Sequence, residues 1–193
     1  MKIIGLTGPI GSGKDAVAKV LRRRGAVIIN ADKIAHTLYS TQSPVWHELV
    51  RVFGSKILNR GGKVNRKKLG EVVFSDKSKL LRLNRIIHPF LREAIIEMVE
   101  NCKLLVVSCK LIVINAAVLR EIGLINCVDE VWVVMSAKDK RLSRLLKQGL
   151  NRAEANARLR SQMSQREYLK IADVVIQNNG TLRGLAKKTI DLL

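Results

Sequence analysis

The chain has 193 residues, 35 of them Lys or Arg against 16 Asp or Glu, which gives a formal charge of +19 on a composition that is 47% apolar. This length closes a hydrophobic core unaided, so a staple-dependent miniprotein is excluded, and the charge excess predicts polyanionic ligands. Cys102, Cys109 and Cys127 show neither CxxC nor Cys/His spacing, which argues against a disulfide framework or structural zinc and fits buried or free thiols in a reducing compartment.

Met1 to Leu6 reaches a glycine at Gly5, too soon for a signal peptide, and the apolar stretch Leu104 to Leu119 is broken by Ser108, Lys110 and Asn115. No membrane span is expected, and the cytosol is the expected compartment. Lys2 to Thr7 reads as a buried strand, Gly8 to Gly13 as a glycine loop, and Asp15 to Arg24 as a helix spaced through Val17, Val20 and Leu21. Gly25 ends that helix, Ala26 to Ile29 reads as a second strand, and Asn30-Ala31-Asp32 lies at its carboxyl end before a helical run from Lys33 to Leu38.

From Ser43 to about Arg92 the spacing is helical, with Trp46, Leu49, Val50 and Phe53 on one face and a turn at Gly61-Gly62. Between Lys56 and Arg92 eleven Lys/Arg stand against Glu71 and Asp76 alone, the steepest positive stretch in the chain. Helical register continues from Arg92 to Lys110. Two core strands follow, Leu111 to Ile114 and Glu130 to Val134, with a helix expected over Ala116 to Ile122 between them. Lys138 to Lys170 is polar and helical, Ala172 to Ile176 is a last strand closed by Asn178-Asn179-Gly180, and a final helix follows Thr181. The alternation predicts an α/β fold: a parallel sheet with helices on both faces, over residues 1–193 as a single domain. Within it, a helical insertion spans about residues 38–100 and a lid about residues 138–170.

Gly8-Pro9-Ile10-Gly11-Ser12-Gly13-Lys14 matches the first seven positions of the phosphate-binding loop G-x-x-x-x-G-K-[ST], in the strand–loop–helix context that the motif requires. Its glycines let backbone N–H groups converge on phosphate oxygens, the helix N-terminus adds positive potential, and Lys14 reaches the β and γ phosphates. Asp15 stands where a Ser/Thr hydroxyl normally ligates Mg²⁺. Three readings stay open for it: a direct Mg²⁺ ligand, a negative charge that weakens nucleotide binding, or a helix cap turned away from the ligand.

Asp32, at a strand's carboxyl end, reads as a base for an attacking hydroxyl, as a holder of Mg²⁺ through water, or as a helix N-cap. His36 lies one turn later and reads as a cleft residue or a packed one; His88 before Pro89 reads as structural, proline being common near helix starts. Arg141, Arg144, Arg152, Arg158 and Arg160 read as a solvated helix face, or as lid cations over a migrating phosphoryl group.

Taken together these residues resemble the dephospho-coenzyme A kinases over nearly the whole chain. Beyond the generic loop, Asn30-Ala31-Asp32 with Ile34-Ala35-His36 resembles the family's D-A-D followed by I-A-H. Gly62 to Leu69 with Val73-Phe74, and His88-Pro89 with Leu91-Arg92, are similar to its substrate-domain signatures. Gly149-Leu150, Arg158, Ser161-Gln162-Met163 and Ala172-Asp173 through Gly180 follow its lid and final strand. The resemblance implies ATP- and Mg²⁺-dependent phosphorylation of the ribose 3′-hydroxyl of dephospho-CoA. It implies Gly8, Gly11, Ser12, Gly13 and Lys14 on ATP, with Asp15 and Asp32 toward the metal. It further implies Asp32 as base, His36, Arg66, His88 and Arg92 on the acceptor side, and Arg158 in the lid.

Four positions depart from the family pattern: Asp15 for the hydroxyl residue, Asn30 for the first Asp of D-A-D, Lys147 near the expected lid arginine, and Ile114-Asn115-Ala116-Ala117 in place of a P-L-L stretch. A carboxylate lost at Asn30 and gained at Asp15 reads as compensation in the metal site or as drift away from catalysis. Two other functions compete: another small-molecule or nucleotide kinase on the same scaffold, and a noncatalytic nucleic-acid binder. The charge of +19 favours the nucleic-acid reading, while an aromatic fraction of 4%, with no stacking platform, opposes it.

Overall fold

The computed structural model describes residues 1–74, 76–105 and 110–193. Ser108 and Cys109, named above, lie outside the described residues. The chain divides into two compact units, residues 1–30 with 98–193, and residues 31–97.

In the first unit the strands are β1 (Lys2–Thr7), β2 (Val27–Asn30), β3 (Leu111–Asn115), β4 (Glu130–Met135) and β5 (Val174–Gln177). They pair in parallel in the order β2-β3-β1-β4-β5. β1 therefore sits in the middle, and the loop leaving its carboxyl end falls where an open α/β sheet collects ligands. α1 (Lys14–Arg23) and α9 (Leu182–Ile190) pack together. Val17, Ala18 and Leu21 of α1 and Leu185 of α9 bury Ile4, Leu6, Val113, Trp132, Val134 and Ile176 of the sheet. Gly5 is required on the opposite face, because a side chain there would press on Leu119 Cδ2 at 2.6 Å, with Val128 just behind. α6 (Lys138–Lys147), α7 (Arg152–Arg160) and α8 (Gln165–Lys170) follow β4, and a small satellite core of Leu145, Ala155 and Leu159 gathers Ile10, Leu142 and Leu150.

The segment expected to be helical over Ala116 to Ile122 is instead a run of turns. Ile122 N donates to Val118 O, but Gly123 N reaches back to Arg120 O and Leu124 N to Leu119 O, closing the segment after one turn at Gly123 with φ 70°. The apolar spacing is real, since Leu119, Ile122 and Leu124 are buried, but one turn is all that it spans.

The second unit holds α2 (Ala31–Thr37), α3 (Pro44–Phe53), α4 (Arg66–Phe74) and most of α5 (Lys77–Leu105), which enters the first unit at Met98. Ser43 caps α3 by accepting from Trp46 N, and Val45, Leu49 and Phe53 are its buried face. Trp46 Nε1 donates to Gly62 O at 2.9 Å, which fixes the Gly61-Gly62 turn against α3. Pro89 lies deep inside α5 and not near a helix start. The proline removes the N–H that would bond the carbonyl one turn earlier, and the 29-residue helix runs through this gap.

Candidate active site

The phosphate loop takes a path that side chains would obstruct. Gly8, Gly11 and Gly13 have φ of 140°, 73° and 101°. A β-carbon at Gly8 would meet the Val134 carbonyl, and one at Gly13 the Asn178 amide, so left-handed backbone and close neighbours both demand glycine. Gly13 is the N-cap of α1 and no side chain among the described residues caps that terminus, so its first N–H groups are presented for a ligand. Lys14 Nζ folds back on Gly8 O at 3.0 Å, which keeps the ammonium over the loop.

Residues far away in sequence brace the loop from behind. Arg144 Nη1 lies 2.8 Å from Gly11 O, 3.1 Å from Ser12 O and 3.2 Å from Ser136 Oγ, while Nη2 donates to Asn178 O at 3.0 Å. Asn178 Nδ2 donates to Ser12 O at 2.7 Å, and Gln162 Oε1 accepts from Ile10 N at 2.7 Å. Arg144 is thus no solvated face: its fork of donors meets three carbonyls and the Ser136 hydroxyl, a geometry that a planar guanidinium fits. In the sequence Arg144 is only one arginine among several. The Asn178-Asn179-Gly180 and Gln162 signatures acquire a structural reason, since both are tied to the loop or to the ends of β4 and β5.

Asp15 sits in the first turn of α1 and does not cap it. Its Oδ1 accepts from Asn115 Nδ2 at 2.8 Å, with Asn115 the last residue of β3, in register beside Leu6 of β1 and Asn30 of β2. Two of the departures noted in the sequence, Asp15 and Asn115, therefore meet in a single hydrogen bond.

Two buried polar atoms around the loop, Ser12 Oγ and Arg141 Nε, have no partner among the described residues. Arg141 backs Gly11 with its main chain, and burial lowers its guanidinium from the usual value, the nearby Tyr168 opposing. Burial, with Glu121 adding to it, pushes the Tyr168 phenol up to about 12. Orphaned donors, glycine clearance and an uncapped helix fit a nucleotide's phosphates. Among the described residues no group of three or more His, Cys, Asp or Glu forms a metal cage. The Asp15 carboxylate beside the loop fits Mg²⁺, which takes one or two carboxylates and completes its shell with phosphates and water.

In the second unit Asp32 is the second residue of α2 and not its N-cap, because β2 runs straight into the helix at Ala31. His36 follows one turn later, and Arg66, first residue of α4, brings Nη1 to 3.4 Å from His36 Nδ1. Burial lowers the His36 imidazole below its ordinary value; Arg66 adds to this and Asp32 opposes it. The same two charges act on Tyr39, whose phenol burial raises. The structure thus gathers Asp32, His36, Arg66 and Tyr39. His88 and Arg92 lie four residues apart on α5, on one face of that helix. Arg158 is exposed on α7, and Lys147 is exposed at the end of α6.

A parallel sheet ordered 2-3-1-4-5, with a glycine loop and lysine leaving its central strand into a helix, defines a P-loop kinase. The family model described as dephospho-CoA kinase matches residues 2–184. The chain belongs to the dephospho-CoA kinase family. It is 39% identical to the dephospho-CoA kinase of Carboxydothermus hydrogenoformans over 195 aligned residues, covering all of this chain and 93% of the relative. Among solved structures it is similar to a protein from Thermus thermophilus, at 31% identity and a TM-score of 0.80, covering 99% of this chain and 95% of that one. The dephospho-CoA kinase of Campylobacter jejuni is similar at 28% identity and a TM-score of 0.71, covering 100% and 96%. No described helix is long and apolar enough to cross a membrane.

Proposed function

We propose that this chain transfers the terminal phosphoryl group of ATP to the ribose 3′-hydroxyl of dephospho-CoA, giving coenzyme A and ADP in the cytosol. The observation that carries the reading is the family match over residues 2–184 on a chain whose phosphate loop keeps its glycines and Lys14. Gly8 to Gly13 and the start of α1 bind the phosphates, and Lys14 balances their charge. Asp15 and Asp32 would hold Mg²⁺, which would supply charge neutralisation to the phosphate oxygens. Asp32 takes the proton of the acceptor hydroxyl as the new O–P bond forms and the bond to ADP breaks. A residue exposed at a helix start, as Asp32 is, has the access this requires.

The basic residues of the second unit give the acceptor's pyrophosphate its counter-charge. Arg66 and Arg92 supply that charge, with His36 beside Arg66 and His88 one turn before Arg92 as hydrogen-bonding partners. Arg158 serves the transferring group from the lid. ADP release with dephospho-CoA, adenosine and other small alcohols as acceptors, with the product's phosphate position read by ³¹P NMR, tests the reading. Turnover specific to dephospho-CoA with phosphate on the 3′ oxygen supports it; turnover with an unrelated acceptor replaces it with a different kinase.

A further inference from the structure

We infer that Asn115 is a positioning residue for the phosphate loop: its amide holds the Asp15 carboxylate where the loop's metal-binding hydroxyl would otherwise stand. The inference rests on the nucleotide-binding part of the reading above and not on the identity of the acceptor.

The motif needs a neutral oxygen donor after the lysine, and a hydroxyl one bond from the helix backbone is placed by the helix itself. A carboxylate in its place is longer, carries charge and has an additional torsion to fix. The structure supplies what fixes it. Asn115 Nδ2 donates to Oδ1 at 2.8 Å, the one side-chain bond Asp15 makes among the described residues, and Oδ2 keeps its lone pairs. The donor is itself well held. Asn115 is 4% exposed, ends β3, and sits in the sheet between Leu6 and Asn30, so its amide cannot follow a wandering carboxylate.

Chemistry explains why the donor is an amide. A lysine or arginine would neutralise Asp15 and compete with a cation for it. An amide donates one hydrogen bond, leaves the full negative charge in place, and offsets part of the repulsion between that charge and phosphate oxygens. A hydrogen-bonded carboxylate with one oxygen committed and one available is the arrangement by which outer partners orient metal ligands, and loss of such a partner costs about 10–100-fold in metal affinity. This distinguishes the pair from a helix cap, which would bond α1's own N–H groups, and from drift, which would leave Asp15 without a matched buried partner.

The test is titration of Mg²⁺ into the protein with a fluorescent ATP analogue, read as nucleotide affinity and compared with the same protein in EDTA. Asn115→Ala is expected to raise the Mg²⁺ midpoint about tenfold while changing metal-free nucleotide affinity less than about twofold. In an Asp15→Ser background, Asn115→Ala should then shift the Mg²⁺ midpoint no further, since nothing remains to be positioned. Asp15→Asn, which keeps shape and the Asn115 bond but removes the charge, covers the case in which Asn115→Ala fails to fold, and it should lose the Mg²⁺ dependence on its own. An unchanged midpoint in Asn115→Ala, an equal loss with and without Mg²⁺, or the same shift in the Asp15→Ser background overturns the inference. Parent protein that binds no ATP analogue at all removes the nucleotide reading and this inference together, whereas failure to phosphorylate dephospho-CoA leaves the inference standing.

Discussion

At the scale of single residues, the phosphate loop is held in shape by side chains from outside it, and Arg144 is one of them. Its guanidinium serves Gly11 O, Ser12 O and Asn178 O at once. Arg144→Ala should lower stability by about 2–3 kcal/mol, the loss expected when charged hydrogen bonds to buried carbonyls vanish, and should weaken nucleotide binding as well. Arg144→Lys should rescue little, because an ammonium cannot reproduce the fork. Thermal denaturation with and without ATP reads both effects. His36 gives a second prediction. Burial is the larger cause of its lowered midpoint and Arg66 the smaller, so Arg66→Ala should move the midpoint only part of the way back toward 6.5, while Asp32→Asn should lower it further. NMR titration of the imidazole measures both. The sign for stability follows: between the lowered midpoint and 6.5 the unfolded chain binds more protons at this site, so His36 makes acidification through that window destabilising. The loop residues are legible in the sequence because they are contiguous, so spacing along the chain is already geometry. Arg144 and Asn178 are not, because they reach the loop from 133 and 166 residues away.

At the scale of elements, strands and long helices follow from apolar periodicity, and the misreadings come where periodicity and length disagree. Leu119, Ile122 and Leu124 are buried as a helix face would be, yet a glycine at positive φ ends the segment after one turn. Asp32 resembles a cap by composition, but β2 leaves no residue between strand and helix for it to cap. Among the helices that follow β4, α7 carries a complete capping box, Asn151 Oδ1 accepting from Glu154 N at 2.9 Å and Glu154 Oε2 accepting from Asn151 N at 3.1 Å. α7 is anchored by the small core of Leu145, Ala155 and Leu159, which also receives Ile10 of the loop. Asn151→Ala should therefore cost about 1 kcal/mol and appear mainly as faster hydrogen exchange in α7, with the sheet's slow amides unchanged. Loss of protection across the sheet as well would show that α7 and the main core open as one unit.

At the scale of the whole molecule, charge is the dominant feature that local geometry leaves open. The ion pairs Lys2–Glu130, Arg51–Glu48, Lys79–Asp76 and Lys103–Glu100 join exposed or half-exposed side chains and contribute little. The net charge of +19 repels itself, so raising ionic strength from about 0.01 to 0.15 M should raise the melting temperature, and a fall would show that attractive pairs outweigh the excess. The sheet order and family membership make the fold's function readable from the chain as a whole, and Asp32 with its basic neighbours lies within the unit of residues 31–97. The most direct measurement is ADP release with ATP, Mg²⁺ and dephospho-CoA in the parent and in Asp32→Asn, each with an acceptor-free control. The account predicts acceptor-dependent turnover in the parent and a loss of at least about 100-fold in Asp32→Asn with folding intact. Equal turnover in both proteins, or none in a folded parent that binds ATP, would contradict it.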